Sequence, residues 1–247
     1  MRFRTGIFAS CVLTLVLCGC ESLPENGAAG EASNAPPPPL ITKYQTATIA
    51  QQKVLRGVQM QVDIDAKLTK LEKTGKFRGL RSISKLGSIT YKMLGFSGDN
   101  TIKKEVIARY LQSDADSHDN ALPAITPANY KFREKAVLEN AGRKTYIFAI
   151  KPRKKQVGLF EGELWLDAET GMPVREAGRF VKNPSVFLKT VDFVRDYEIR
   201  DGISYPKTIQ STADVRVFGK AELNISFSNY TKADASDEEQ VPIAHIQ

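Results

Sequence analysis

The sequence predicts a mainly antiparallel β domain with a few helices, an α+β fold built as a curved sheet or unclosed half-barrel with a helical lid. Three observations lead there. Apolar and polar residues alternate with a period of two through several runs, turn residues punctuate those runs at hairpin spacing, and only two segments carry a helical stripe. A meander with one apolar face needs a cover, and the two helices are what this chain has to supply it.

In chain order, residues 1–19 read as a secretory signal peptide. Arg2 and Arg4 form a basic head, and Thr5 to Gly19 is uncharged. That stretch falls short of the roughly 20 apolar residues needed to span a bilayer. It closes on Leu17-Cys18-Gly19-Cys20, which resembles a bacterial lipobox. The resemblance implies cleavage before Cys20 and acylation of Cys20, and two or more acyl chains hold a protein firmly on a membrane. Residues 20–42 are rich in Gly, Ala, Ser, Asn and Pro, with Pro36 to Pro39 in a row, and read as a disordered, proline-stiffened tether. The folded domain is placed at 43–235 and a flexible acidic tail at 236–247. An Asp at position 21 would resemble an inner-membrane retention signal. Glu21 therefore points to the outer membrane, facing the periplasm, or to the single membrane of a one-membrane bacterium.

Cysteine usage removes whole classes of chemistry. The three cysteines are Cys11, Cys18 and Cys20, so a chain cut before Cys20 keeps only the acylated one. The histidines are His118 and His245. Little is left from which to build a thiol nucleophile, a Ser-His-Asp triad or a zinc site, so the expectation is no enzyme, no metal and no cofactor. The formal charge of +7 falls to +5 once Arg2 and Arg4 leave, a mild excess that suits anionic headgroups. Aromatic residues are not interleaved with the basic ones as a stacking platform requires, which argues against nucleic acid.

Two helices are expected. Thr42–Leu55 carries Ala47, Ile49, Ala50 and Val54 on a weakly apolar face. Asn100–Ser113 sets Ile102, Val106, Ile107, Tyr110 and Leu111 at helical spacing, with Asp99, Asn100 or Thr101 as cap. Met60, Val62, Ile64, Ala66 and Leu68 alternate with polar neighbours, as do Ala221, Leu223, Ile225 and Phe227. Phe160, Leu164 and Leu166 share one strand face, and Tyr146, Phe148 and Ile150 another. Turns are expected at Lys73-Thr74-Gly75, Asn140-Ala141-Gly142, 168–171, Asp201-Gly202 and Phe218-Gly219-Lys220, with Pro173 and Pro206 at strand starts.

Some patterns look like chemistry and read better as structure. Ser82-Ile83-Ser84-Lys85 and Lys73-Thr74-Gly75 imitate parts of a penicillin-recognising serine enzyme, but in the wrong order and without Ser-Asp-Asn. Glu161, Glu163 and Asp167 share a strand face with Leu159 and Trp165, as a solvated outer face would. Lys151-Pro152-Arg153-Lys154-Lys155 lies between two strands, either as a solvated hairpin tip or as a contact for anionic lipid.

The run Gly162-Glu163-Leu164-Trp165-Leu166-Asp167-Ala168-Glu169-Thr170-Gly171-Met172-Pro173-Val174-Arg175 resembles the Trp-x-Asp, Thr-Gly-x-Pro-x-Arg hairpin of the outer-membrane lipoprotein-sorting (LolA/LolB-like) superfamily. Asp201-Gly202-Ile203-Ser204-Tyr205-Pro206-Lys207 and Phe227-Ser228-Asn229-Tyr230 resemble later strands of the same group. The resemblance spans Tyr130 to Tyr230 and extends to Val54–Ser113 by pattern. It implies an unclosed barrel of about eleven strands, with helices plugging a cavity that takes acyl chains. The expected function is then a non-enzymatic, lipid-anchored envelope protein that binds an acyl chain or lipoprotein lipid in outer-membrane lipoprotein sorting. The alternative is an assembly lipoprotein that binds other envelope proteins.

The residues expected to meet an apolar ligand are Met60, Val62, Ile64, Phe148, Phe160, Leu164, Leu166, Leu223, Ile225 and Phe227. Those expected to meet the membrane are Leu94, Phe96, Lys151, Arg153, Lys154 and Lys155. Leu94 and Phe96 are named for the exposed-leucine loop of the family's receptor. In the other reading of that segment, Met93 and Leu94 end a strand and Phe96 packs under the next helix.

Overall fold

A computed structural model describes residues 39–119, 124–183, 185 and 187–232. The signal, Cys20, most of the tether, His245 and the acidic tail lie outside the described residues.

Ten antiparallel strands form one sheet: β1 (Val58–Leu68), β2 (Lys73–Ile83), β3 (Ile89–Gly98), β4 (Tyr130–Asn140), β5 (Arg143–Pro152), β6 (Phe160–Asp167), β7 (Pro173–Phe180), β8 (Leu188–Arg200), β9 (Ile203–Val215) and β10 (Gly219–Lys232). Their order is β3-β2-β1-β10-β9-β8-β7-β6-β5-β4. Every neighbour is a hairpin partner except β1 and β10, which join the first and last parts of the chain. The sheet is open, with β3 and β4 as its edges. Register shifts in β1, β2, β4, β6 and β8 bend the strands, as bulges do. The result is the expected curved α+β half-barrel, with ten strands among the described residues where the resemblance implied about eleven.

Register follows the alternation. Val62, Ile64 and Ala66 of β1 face Phe227, Ile225 and Leu223 of β10. Leu164 and Leu166 of β6 pair with Phe148 and Tyr146 of β5. All these side chains enter one inner face because the side-chain period is two.

Two helical segments cover that face. Helix α1 (Pro39–Val54) starts three residues before the expected Thr42, which puts Ile41 on its buried side. Helices α2 (Asn100–Ile102) and α3 (Ala108–Asp119) are joined without a break by a π-helical segment, Lys103–Ile107. Of the three candidate caps, Asp99 fills the role, accepting the Thr101 N–H at 2.7 Å.

The core is divided. One cluster joins β1, β2, β3 and β10 to Ile102, Val106, Ile107 and Leu111 of helix 100–119. The other joins Ile41 and Tyr44 of α1 to Tyr130, Phe148, Ile150, Phe160, Leu164, Leu166 and Phe193. Helix 100–119 lies close on β2 because Gly75 has no side chain: a Cβ there would stand 2.7 Å from Ile102 Cγ2. Lys43 Nζ donates to the Ala168 and Glu169 carbonyls, and Gln51 Oε1 accepts from the Ser204 N–H at 3.3 Å, so α1 is tied to two turns at one end of the sheet.

Two sequence expectations are corrected. The turn between β1 and β2 is Thr69–Leu71 with Glu72 in the left-handed region, and Lys73-Thr74-Gly75 already belongs to β2. The glycine there serves helix packing, not chain reversal. Pro173 does begin β7, but Pro206 is the fourth residue of β9, beside the β8–β9 register shift at Asp196/Tyr197, where a missing N–H is tolerated.

Candidate functional site

Strand β8 carries Val191, Phe193, Arg195 and Tyr197 on the inner face, because they alternate with Asp192, Val194, Asp196 and Glu198. Arg195 thus sits at the centre of an otherwise apolar frame, between the two clusters. Its guanidinium reaches Glu176 of β7 at 3.2 Å and lies 4.5 Å from the centre of the Phe193 ring. Glu176 is 8% exposed and Arg195 33%. Arg195 thus keeps about a third of its side chain accessible beside a nearly buried partner carboxylate.

Burial disfavours the charge of Arg195, and the groups around it, Tyr197 and Glu176 first, outweigh that effect, so the guanidinium stays cationic. Burial, reinforced by Glu176, pushes the Tyr197 phenol well above its ordinary range, so it stays a neutral hydrogen-bonding group. Burial and the Asp114 carboxylate do the same to Tyr110 of α3.

A second polar group holds the lower half of helix 100–119. Arg81 of β2 donates to Asp114 at 2.9 Å and to the Tyr91 hydroxyl at 3.2 Å, and that hydroxyl donates to Asp114 at 2.6 Å. Burial works against the charge of Arg81, and Asp114 more than restores it. Arg195, Glu176, Arg81 and Asp114 were not among the residues singled out in the sequence. The signal that could have found Arg195 is its phase, a lone cation in the apolar frame of Val191, Phe193 and Tyr197.

The structure buries all of the apolar candidates. Met60, Val62, Ile64, Leu223, Ile225 and Phe227 lie in the first cluster, and Phe148, Phe160, Leu164 and Leu166 in the second. They share one face but form two groups, each closed by its own helix.

Leu94 is 52% exposed within β3, while Phe96 packs against the first cluster with the Lys103 ammonium 5.7 Å from its ring centre. Both line an open depression of about 700 Å3 beside the Asp63–Arg78 and Asp65–Lys76 ion pairs of β1 and β2. The most exposed large apolar side chain among the described residues is instead Leu86, 90% exposed at the β2–β3 turn. Lys151 is the penultimate residue of β5 and pairs with Glu161 at 3.1 Å. Arg153 donates to the Pro127 and Tyr130 carbonyls and holds the β5–β6 loop, where Lys154 and Lys155 are exposed.

The patterns weighed as catalytic fall apart in space. Lys73 and Ser82 stand at opposite ends of β2, roughly 30 Å apart at strand rise. Glu161 and Glu163 each have their own lysine, Lys151 and Lys135. Asp167 is not on a solvated face: it is 2% exposed and accepts from the Thr170 N–H and hydroxyl and from Arg143. Among the described residues no cluster of three or more His, Cys, Asp or Glu could hold a metal ion, and no helix is long and apolar enough to cross a membrane.

No family model and no curated protein matches the chain. Among solved structures, a LolA superfamily protein of Nitrosomonas europaea aligns over 79% of this chain and 96% of its own, with 11% identity and a TM-score of 0.37. A putative outer membrane lipoprotein-sorting protein domain of Vibrio parahaemolyticus aligns over 80% and 94%, with 14% identity and a TM-score of 0.40. The MucA/MucB complex of Pseudomonas aeruginosa supplies a chain aligned over 78% and 99%, with 11% identity and a TM-score of 0.27. At such identities the likeness assigns no residue a role.

Proposed function

We propose that this is a non-enzymatic envelope lipoprotein, acylated on Cys20, whose half-barrel binds an acyl-chain amphiphile between the sheet and its helices, as outer-membrane lipoprotein sorting requires. The observation that carries the reading is the inner face itself: two apolar floors under separate helices, meeting at one accessible cation, Arg195. An acyl chain matches the floors, and a carboxylate or phosphate end matches the guanidinium. Met60, Val62, Ile64, Phe148, Phe160, Leu164, Leu166, Leu223, Ile225 and Phe227 become ligand contacts when a helix lifts, and the ligand replaces the apolar area the helix gives up.

The test is uptake of a fluorescent fatty acid by residues 20–247 carrying Cys20→Ser, together with native mass spectrometry for lipid retained from the host. Bound lipid and saturable uptake are expected. Arg195→Gln should weaken uptake of the acid about tenfold or more, since a charged hydrogen bond contributes about 1.5–3 kcal/mol, and should leave the corresponding alcohol little changed. Lipid-free protein with no uptake would sink the proposal.

A second reading has its own support. β4 is exposed along Lys131–Asn140 except at Phe132, with Val137 and Leu138 each 45% exposed, so an open sheet edge stands ready for strand addition by a protein partner. Photo-crosslinking from Val137 in cells distinguishes the two: a discrete protein adduct favours the partner, and lipid without adduct favours the carrier.

A further inference from the structure

We infer that the loops at one end of the sheet form a docking surface for an anionic phospholipid bilayer. The antiparallel register places the β1–β2, β5–β6, β7–β8 and β9–β10 connections at that end, and the β2–β3, β4–β5, β6–β7 and β8–β9 turns at the other. The first set is contiguous. Val181 N–H donates to the Leu159 carbonyl at 3.0 Å, Arg216 N–H donates to the Phe187 carbonyl at 2.9 Å, and the Lys70 side chain covers Gly219.

The two ends differ in charge. The basic end carries Lys70, Arg153, Lys154, Lys155, Lys182 and Arg216, each exposed, against Glu72 and Asp99, the latter paired with Lys73 at 3.3 Å. At the other end, Arg56 and Lys85 are balanced by Glu169 and Asp201. The basic end also projects apolar tips, with Leu71 41%, Phe187 52% and Val217 66% exposed. Exposed apolar side chains among an excess of cations match the negative potential and apolar interior of an anionic leaflet. A protein partner's acidic patch would match the charge but leave the three apolar tips without a counterpart. This surface does not depend on whether the inner face holds a ligand.

Residues 20–247 with Cys20→Ser, which contain every described element, provide the test by co-sedimentation with vesicles. Phosphatidylcholine vesicles with and without about a third phosphatidylglycerol are compared at low and high salt. Binding is expected only with the anionic lipid, and it should collapse at high salt, where screening shortens to a few ångströms. Lys154→Ser, Lys155→Ser and Lys182→Ser together should weaken it about a hundredfold, from roughly a factor of five per cation. Val217→Asp should weaken it further, while Lys85→Ser with Leu86→Asp at the opposite end should leave it intact. Circular dichroism confirms that each variant folds. Equal binding to both vesicles, an unaffected triple variant, or loss on the Lys85/Leu86 change would each overturn the assignment.

Discussion

At the scale of single residues, Asp167 shows how a motif that looks functional does structural work. Burial works to raise the pKa of its carboxyl, but the Thr170 N–H and hydroxyl and the Arg143 guanidinium overcome that and hold it below the usual carboxylate value. A carboxylate with a depressed folded pKa stabilises the fold fully above its unfolded value near 3.8, and that contribution is lost as pH falls through the lower folded value. Asp167→Ala should cost about 1–3 kcal/mol at neutral pH, read as a drop of several degrees in Tm. The variant should also lose less stability than the parent between pH 5 and pH 3. An unchanged acid limb would show that Asp167 does not carry this linkage. Asp167 lies in the 162–175 hairpin, where its bonds to Thr170 and Arg143 hold the β6–β7 turn. Arg195 is the converse case, since no motif announces it and only its place among Phe193, Glu176 and Tyr197 gives it meaning.

At the scale of elements, glycines decide where pieces come together. Gly162 and Gly178 face each other across β6 and β7, where a Cβ on Gly162 would stand 2.0 Å from the Ala177 carbonyl oxygen. Gly75 does the same service for helix 100–119. Gly75→Ala forces Ile102 off β2 and should cost about 1–3 kcal/mol, as overpacking does. Amide exchange in 100–111 should quicken more than in α1, because α1 belongs to the other cluster. Equal change in both helices would contradict the division of the core. The alternation in β1 and β10 and the stripe at Ile102–Leu111 were legible in the sequence, because each depends only on local period. The start of helix α1 at Pro39 was not, because Ile41 is recruited by Phe148 and Leu164, residues more than a hundred positions away.

At the scale of the whole sheet, the two apolar clusters lie on one surface but under different covers, so substitutions in one should be energetically independent of the other. Ile64→Val should cost about 0.5–1.5 kcal/mol and Leu164→Ala about 2–5 kcal/mol. The double variant should equal their sum within about 0.5 kcal/mol in urea unfolding. A larger coupling would mean that the polar seam at Arg195 transmits packing between them. The same arrangement frames the functional question, because two closed floors with a cation at their junction become a binding site only if a helix moves.

From sequence alone came the antiparallel meander, most hairpin turns, the two helices and the inward phase of Met60, Val62, Leu164 and Phe227. These follow from hydrophobic period and turn chemistry, which act over a few residues. Only the tertiary structure decided that β1 pairs with β10, that the inner face divides into two clusters, that Arg195 stands between them with Glu176, and that the cations of four separate loops gather at one end. Those features arise from contacts between residues distant in the chain, where register and sheet order determine which side chains meet, and no local pattern encodes them.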